Sequence, residues 1–176
     1  MRKIILYTAV SLDGKIARPD GSIDWLDKVS HSGGLDYGYQ VFYDSVDTVI
    51  MGRNTYDQVI RFPGEYPYKN KKNYVFTHQT EVANDDQVIF VNHQQIRMMH
   101  QLKRQSGKDI WLVGGGQLNT FMLKNNCIDQ IRLFVMPVIL GQGINLFEQN
   151  DRTIPLHFMG HRKYSNGIVE LDYGIP

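Results

Sequence analysis

The chain holds a single cysteine, Cys127, so it has no intrachain disulfide and no cysteine-cluster zinc site. A lone thiol of this kind reads as a small buried hydrophobe. The six histidines, at positions 31, 78, 93, 100, 157 and 161, include no pair in an HExxH frame, so no metal site is expected. An excess of one charge is missing as well. The formal net charge is +1, and the basic residues are scattered apart from Lys69, Lys71 and Lys72, which read as a solvated loop, so a nucleic-acid surface has no support. No apolar run approaches the roughly 20 residues that span a bilayer. The N-terminal MRKIILYTAV runs into SLDGK without a small-residue cleavage site and reads as a buried first strand, which places the protein in the cytoplasm.

What is present is an ordinary globular mixture, 42% hydrophobic and 21% charged over 176 residues, expected to form one domain over residues 1–176. No repeat or linker divides it. The pattern predicts strands over residues 2–10, 48–51, 73–77, 87–91 and 109–113, and helices over 35–45, from about 54, over 94–105 and from the glycine run to about Asn125. Strands dominate afterwards: IRLFVMPVI, a segment near 154–164, and IVELDYG, with a turn at Ser165-Asn166-Gly167 where Asn-Gly supplies the positive φ of a tight hairpin. The stretch SLDGKIARPDGSIDW reads as a long turn-rich loop. This alternation predicts an α/β fold: a mostly parallel central sheet, helices on both faces, and an antiparallel hairpin at the end.

Two glycine-marked junctions carry the functional signal, VIMGRNTY at residues 49–56 and IWLVGGGQLNTFML at 110–123. In each, an apolar strand ends in glycine and a helix follows, so free N–H groups and a helix dipole face an incoming phosphate. Either junction alone is equally what a chain needs in order to turn. Two in one small domain point to a dinucleotide, whose two ends both need holding. Arg53, directly after Gly52, adds a permanent cation with a fork of donors suited to a phosphate ester.

The segments SLDGKIA (11–17), VIMGRNTY (49–56) and VGGGQLNTFMLKNNCIDQIRLFVMPVILGQG (113–143), with the terminal strands, resemble the dihydrofolate reductase superfamily, and within it the C-terminal reductase domain of riboflavin-pathway RibD proteins. The resemblance covers nearly the whole chain and implies a three-layer fold that binds NADPH. Arg53 would take the 2′-phosphate; Gly52 and Thr55 would approach the phosphates from one helix start, and Gly114, Gly115, Gly116, Gln117 and Leu118 from the other. Thr77 and His78 match positions that flank the adenosine half. Ile16 and Ala17 match those whose backbone meets the nicotinamide carboxamide.

For catalysis the resemblance points to Asp36, sixteen residues before Gly52, where ordinary dihydrofolate reductases place the acid that anchors the pterin. A carboxylate in that half-buried cleft would hydrogen-bond an amidine-like edge and raise the basicity of the atom being reduced. An aspartate in a helix's first turn also simply favours the helix dipole. Asp13, heading the LDGK turn, is a second candidate, with a plain turn role as the alternative. Trp25 matches a substrate-binding aromatic at the cleft mouth, or else packs in the core. One departure stands out: RibD-type reductases usually read Glu-Gly-Gly where this chain has Val113-Gly114-Gly115, as ordinary dihydrofolate reductases do, which puts the ribosylated pyrimidine in doubt. No deaminase signature occurs in the chain, so a stand-alone reductase module is expected. The leading expectation is therefore an NADPH-dependent reductase of a small heterocyclic or ribosyl-type substrate, like 5-amino-6-(5-phosphoribosylamino)uracil reductase of riboflavin biosynthesis. A pterin-reducing dihydrofolate reductase and a non-catalytic nucleotide-binding or interaction module are the alternatives. The resemblance also implies a homodimer.

Overall fold

Strand β1 (Ile4–Ser11) is buried on both faces along most of its length, as a central strand covered by helices must be. The computed structural model describes residues 1–30, 35–80 and 86–176; His31 lies outside them. After β1 come β2 (Lys15–Ala17), α1 (Asp24–Ser30), α2 (Tyr39–Ser45), β3 (Val46–Gly52), α3 (Arg53–Val59), β4 (Lys72–Phe76) and β5 (Ile89–Val91). Then follow α4 (Gln95–Arg104), β6 (Asp109–Gly114), α5 (Gly116–Lys124), β7 (Gln130–Met136), β8 (Ile144–Asn145), β9 (His157–Lys163) and β10 (Val169–Gly174). The main sheet has eight strands in the order β5-β4-β3-β6-β1-β7-β10-β9, while β2 and β8 form a separate ribbon. Strands β5 to β7 in that order run parallel, and β10 and β9 close the sheet antiparallel. The expected α/β architecture is what forms.

Two cores flank the sheet. On one face Trp25, Phe42, Tyr56 and Val59 from α1, α2 and α3 pack with Tyr7, Trp111 and Phe134 from the strands. On the other, Met99 and Leu102 of α4 and Leu118, Met122 and Leu123 of α5 pack with Ile4, Leu6, Ile50 and Leu112. Cys127 is fully buried in the second core, and burial pushes its thiol pKa up. It is the small hydrophobe expected from its isolation. Among the described residues, no helix is long and apolar enough to cross a membrane.

Several boundaries differ from those the sequence suggests, each for a local reason. The helix expected from Leu35 begins only at Tyr39, because Tyr37 and Gly38 both have left-handed φ, 54° and 77°. The segment after β1 is not all loop: it holds β2 and α1. Strand β7 stops at Met136, before Pro137, which lacks the N–H the ladder would use. The last strand pair turns at residues 165–167 as expected, though only Gly167 supplies a positive φ there, 88°. Lys71 is not a solvated loop residue: its Nζ donates to the carbonyls of Tyr43 and Val46 at 2.7 and 2.8 Å and lies 3.9 Å from the Tyr43 ring centre. It thus ties the segment before β4 to the end of α2 and the start of β3.

Candidate functional site

The two glycine junctions meet in space. Strands β3 and β6 are parallel neighbours with Met51 opposite Gly114, so both chains leave the sheet at the same edge and α3 and α5 begin side by side. The Gly115 amide donates to Thr55 Oγ1 at 3.0 Å, bonding one junction to the other. A Cβ placed on Gly52 would lie 3.8 Å from the Gly114 carbonyl oxygen and 3.9 Å from Leu118 Cβ. One placed on Gly115 would lie 3.4 Å from Thr55 Oγ1 and 4.0 Å from Ile16 Cδ1. Gly52, Thr55, Gly114, Gly115, Leu118 and Ile16 are therefore close neighbours where the two junctions meet. Neither α3 nor α5 has a side-chain cap on its first-turn amides.

Gly116 turns inward instead. A Cβ there would run into the Asn145 carbonyl, and its helix is tied to the segment after β8 by Asn119 Nδ2 donating to the Leu146 carbonyl at 2.9 Å. The Glu148 amide donates to Thr120 Oγ1 at 2.7 Å. Gln117 is exposed on the same helix.

Arg53 opens α3 in a fixed pose. Its Nε donates to Asp57 Oδ1 at 2.8 Å, Nη1 reaches Gln79 Oε1 at 3.4 Å, and its guanidinium carbon sits 5.2 Å from the Phe90 ring centre. Thr77 is buried at the end of β4 and accepts the Gln79 amide on its hydroxyl at 3.1 Å, so it supports the residue that touches Arg53. His78 is exposed beside it.

The segments SLDGKIA and PVILGQG, far apart in the chain, bond to each other. Asp13 accepts the Leu140 and Gly141 amides at 3.0 and 2.8 Å and the Ser11 hydroxyl at 2.7 Å. The Leu140 amide, then the Ser11 hydroxyl, hold its carboxyl down at a pKa of about 2. A Cβ on Gly143 would run into the Ala17 carbonyl, so the ribbon places Ile16 and buried Ala17 by close backbone approach. Asp13 is a staple for that ribbon, and these bonds favour its ionised, accepting form.

Asp36 stands on the exposed turn before α2, not in a half-buried cleft and not within the helix. Its carboxylate accepts the Gly38 and Gln40 amides at 3.0 and 3.2 Å, and these bonds, Gly38 first, lower its pKa. It is thereby kept as an acceptor. Trp25 is 1% exposed and belongs to the core rather than to a cleft mouth, yet its indole Nε1 is buried without a hydrogen-bond partner.

Sequence reasoning missed Asp57, Gln79 and Phe90, which pose Arg53, and the segment from Gly143 to Glu148, which seats α5. The i, i+4 spacing of Arg53 and Asp57 on a helix was a readable signal. The others act through tertiary contact and left none.

The family profile of the RibD C-terminal domain matches residues 2–170. The uncharacterised protein YwjB of Bacillus subtilis (strain 168) is 42% identical over 172 residues, covering 98% of this chain and 97% of its own. A crystal structure from Shewanella sp. PV-4, of a protein provisionally assigned to riboflavin biosynthesis, superimposes with a TM-score of 0.88 at 28% identity, over 100% of this chain and 99% of that one. Two more distant structures share the fold. The Thermotoga maritima diaminohydroxyphosphoribosylaminopyrimidine deaminase/5-amino-6-(5-phosphoribosylamino)uracil reductase has a TM-score of 0.73 at 16% identity, over 99% of this chain and 57% of its own. The Enterococcus faecalis dihydrofolate reductase complexed with NADP(H) has a TM-score of 0.70 at 14% identity, over 98% of this chain and 96% of its own.

Proposed function

Because the chain belongs to the RibD C-terminal domain family, we propose that it is a reductase of the riboflavin-biosynthesis type and that NADPH is its reductant. The observation that carries this reading is the bond from the Gly115 amide to Thr55 Oγ1, which joins the two glycine junctions beside Ile16. The two helix starts lie together and neither carries a side-chain cap, so the residues present fit a dinucleotide backbone. The bound nicotinamide would supply hydride. The chain's own groups do the rest: Gly52, Thr55 and Gly114 to Leu118 cradle phosphates, Arg53 reads the 2′-phosphate, and Thr77 and His78 flank the adenosine. The ribbon carrying Ile16 and Ala17 fixes the reacting ring against its substrate, the main source of acceleration for a positioned bimolecular step.

The substrate is a small heterocycle or a ribosylated pyrimidine. Asp36, ionised and accepting, is the group proposed to bind its N–H edge. A second reading draws on the exposure of Asp36, both of whose oxygens already accept backbone amides: a nucleotide-binding module without turnover. NADPH binding with no oxidation by pyrimidine or pterin substrates is its signature, and pterin turnover would point to a dihydrofolate reductase. Arg53→Ala tests the cofactor assignment. NADPH affinity is expected to fall by roughly 30-fold or more and NADH affinity by less than about threefold, because only NADPH presents the extra charged phosphate. Equal losses would remove Arg53 from the site.

We also propose a homodimer built on β9, one edge strand of the main sheet, where Phe158 and Met159 are 52% and 49% exposed. Sedimentation should give twice the chain mass of 20.3 kDa, and Phe158→Glu should return the monomer.

A further inference from the structure

Arg53 does not stand alone in its site, and its neighbours are of opposing kinds. The Phe90 ring, 5.2 Å from the guanidinium carbon, and the Gln79 amide oxygen, 3.4 Å from Nη1, orient it without altering its charge. Asp57 does both. Its Oδ1 lies 2.8 Å from Arg53 Nε, and the pair is about two-thirds shielded from solvent, with side chains 30% and 35% exposed. A carboxylate this close cancels much of the guanidinium's field at any point a few ångströms beyond it.

From this geometry we infer that Asp57 is a specificity-determining residue that holds back discrimination between NADPH and NADH by opposing the 2′-phosphate that Arg53 attracts. The inference rests on the NADPH-reductase reading above. The 2′-phosphate brings close to two negative charges near the pair, whereas the ribose hydroxyl of NADH brings none. The carboxylate therefore penalises one cofactor and spares the other. Orientation is separable from charge, because an asparagine at position 57 keeps an oxygen to accept from Arg53 Nε and loses only the negative charge.

Asp57→Asn and the unaltered protein are titrated with NADPH and with NADH, following energy transfer from tryptophan to the reduced nicotinamide. The variant should bind NADPH roughly three- to tenfold more tightly at low salt, with NADH affinity unchanged within about twofold. The gain should fade near 0.5 M salt, where screening acts within a few ångströms. An unchanged ratio of the two affinities, parallel changes in both, or weaker NADPH binding overturns the inference while leaving the cofactor site intact. Binding of neither cofactor by the unaltered protein overturns the reductase reading itself, and the inference with it.

Discussion

Gly116→Ala is expected to destabilise the protein by about 3 kcal/mol and to abolish tight cofactor binding. Most glycine-to-alanine changes in a helix are favourable, since alanine is the better helix former by about 1 kcal/mol. Here the added methyl would run into the Asn145 carbonyl. That oxygen is backbone, fixed by the pairing of Asn145 with Lys15 and by the Leu146 amide donating to the Gly14 carbonyl at 2.9 Å, so it yields only if β2 and β8 move together. Ile16 would move with them, away from Gly115. Urea unfolding of the variant measures the first effect and NADPH titration the second. A Gly116→Ala protein as stable as the unaltered one would mean that the β8 segment does not press on α5.

Trp111→Ala should cost about 3 to 5 kcal/mol, the largest single side-chain effect expected in this fold. Trp111 is 5% exposed and packs edge-on with Phe42 and Tyr68 at ring-centre distances of 5.3 and 5.2 Å, and its indole Nε1 donates to the Tyr7 carbonyl at 3.0 Å. Removing it leaves a cavity between β6 and α2 and strands a buried acceptor. It sits three residues before Gly114 on the same strand, so the junction should loosen along with the core. Trp111→Phe, which keeps an aromatic ring of smaller volume and loses the N–H, should recover more than half of the lost stability by the same unfolding measurement.

How far such a site can be read from residues alone depends on what fixes each part. The parallel order of the sheet followed from apolar strands alternating with amphipathic segments, and the two junctions from glycine at the ends of such strands. Their meeting at Thr55 and Gly115 follows from β3 and β6 being neighbours, which no local pattern states. The start of α2 was missed because Tyr37 adopts a left-handed φ that tertiary contacts sustain: its hydroxyl accepts from Asn166 Nδ2 at 2.7 Å and its carbonyl from the Tyr164 hydroxyl at 3.2 Å. Asp13 stands out in the sequence by its chemistry, yet its neighbours across the chain are the amides of Leu140 and Gly141, which carry no side-chain signature. The segment after Gly143 was invisible for the same reason, acting mainly through carbonyls. Trp25 was placed at the cleft by resemblance, and its burial follows from α1, which turn residues on either side concealed.

The most direct test of the central claim is a titration of the purified protein with NADPH and then NADH, read by energy transfer from Trp25 and Trp111. Saturable micromolar binding, with NADPH held more tightly, is the predicted result. Absence of binding by both would leave the paired glycine junctions as a structural device of the fold alone.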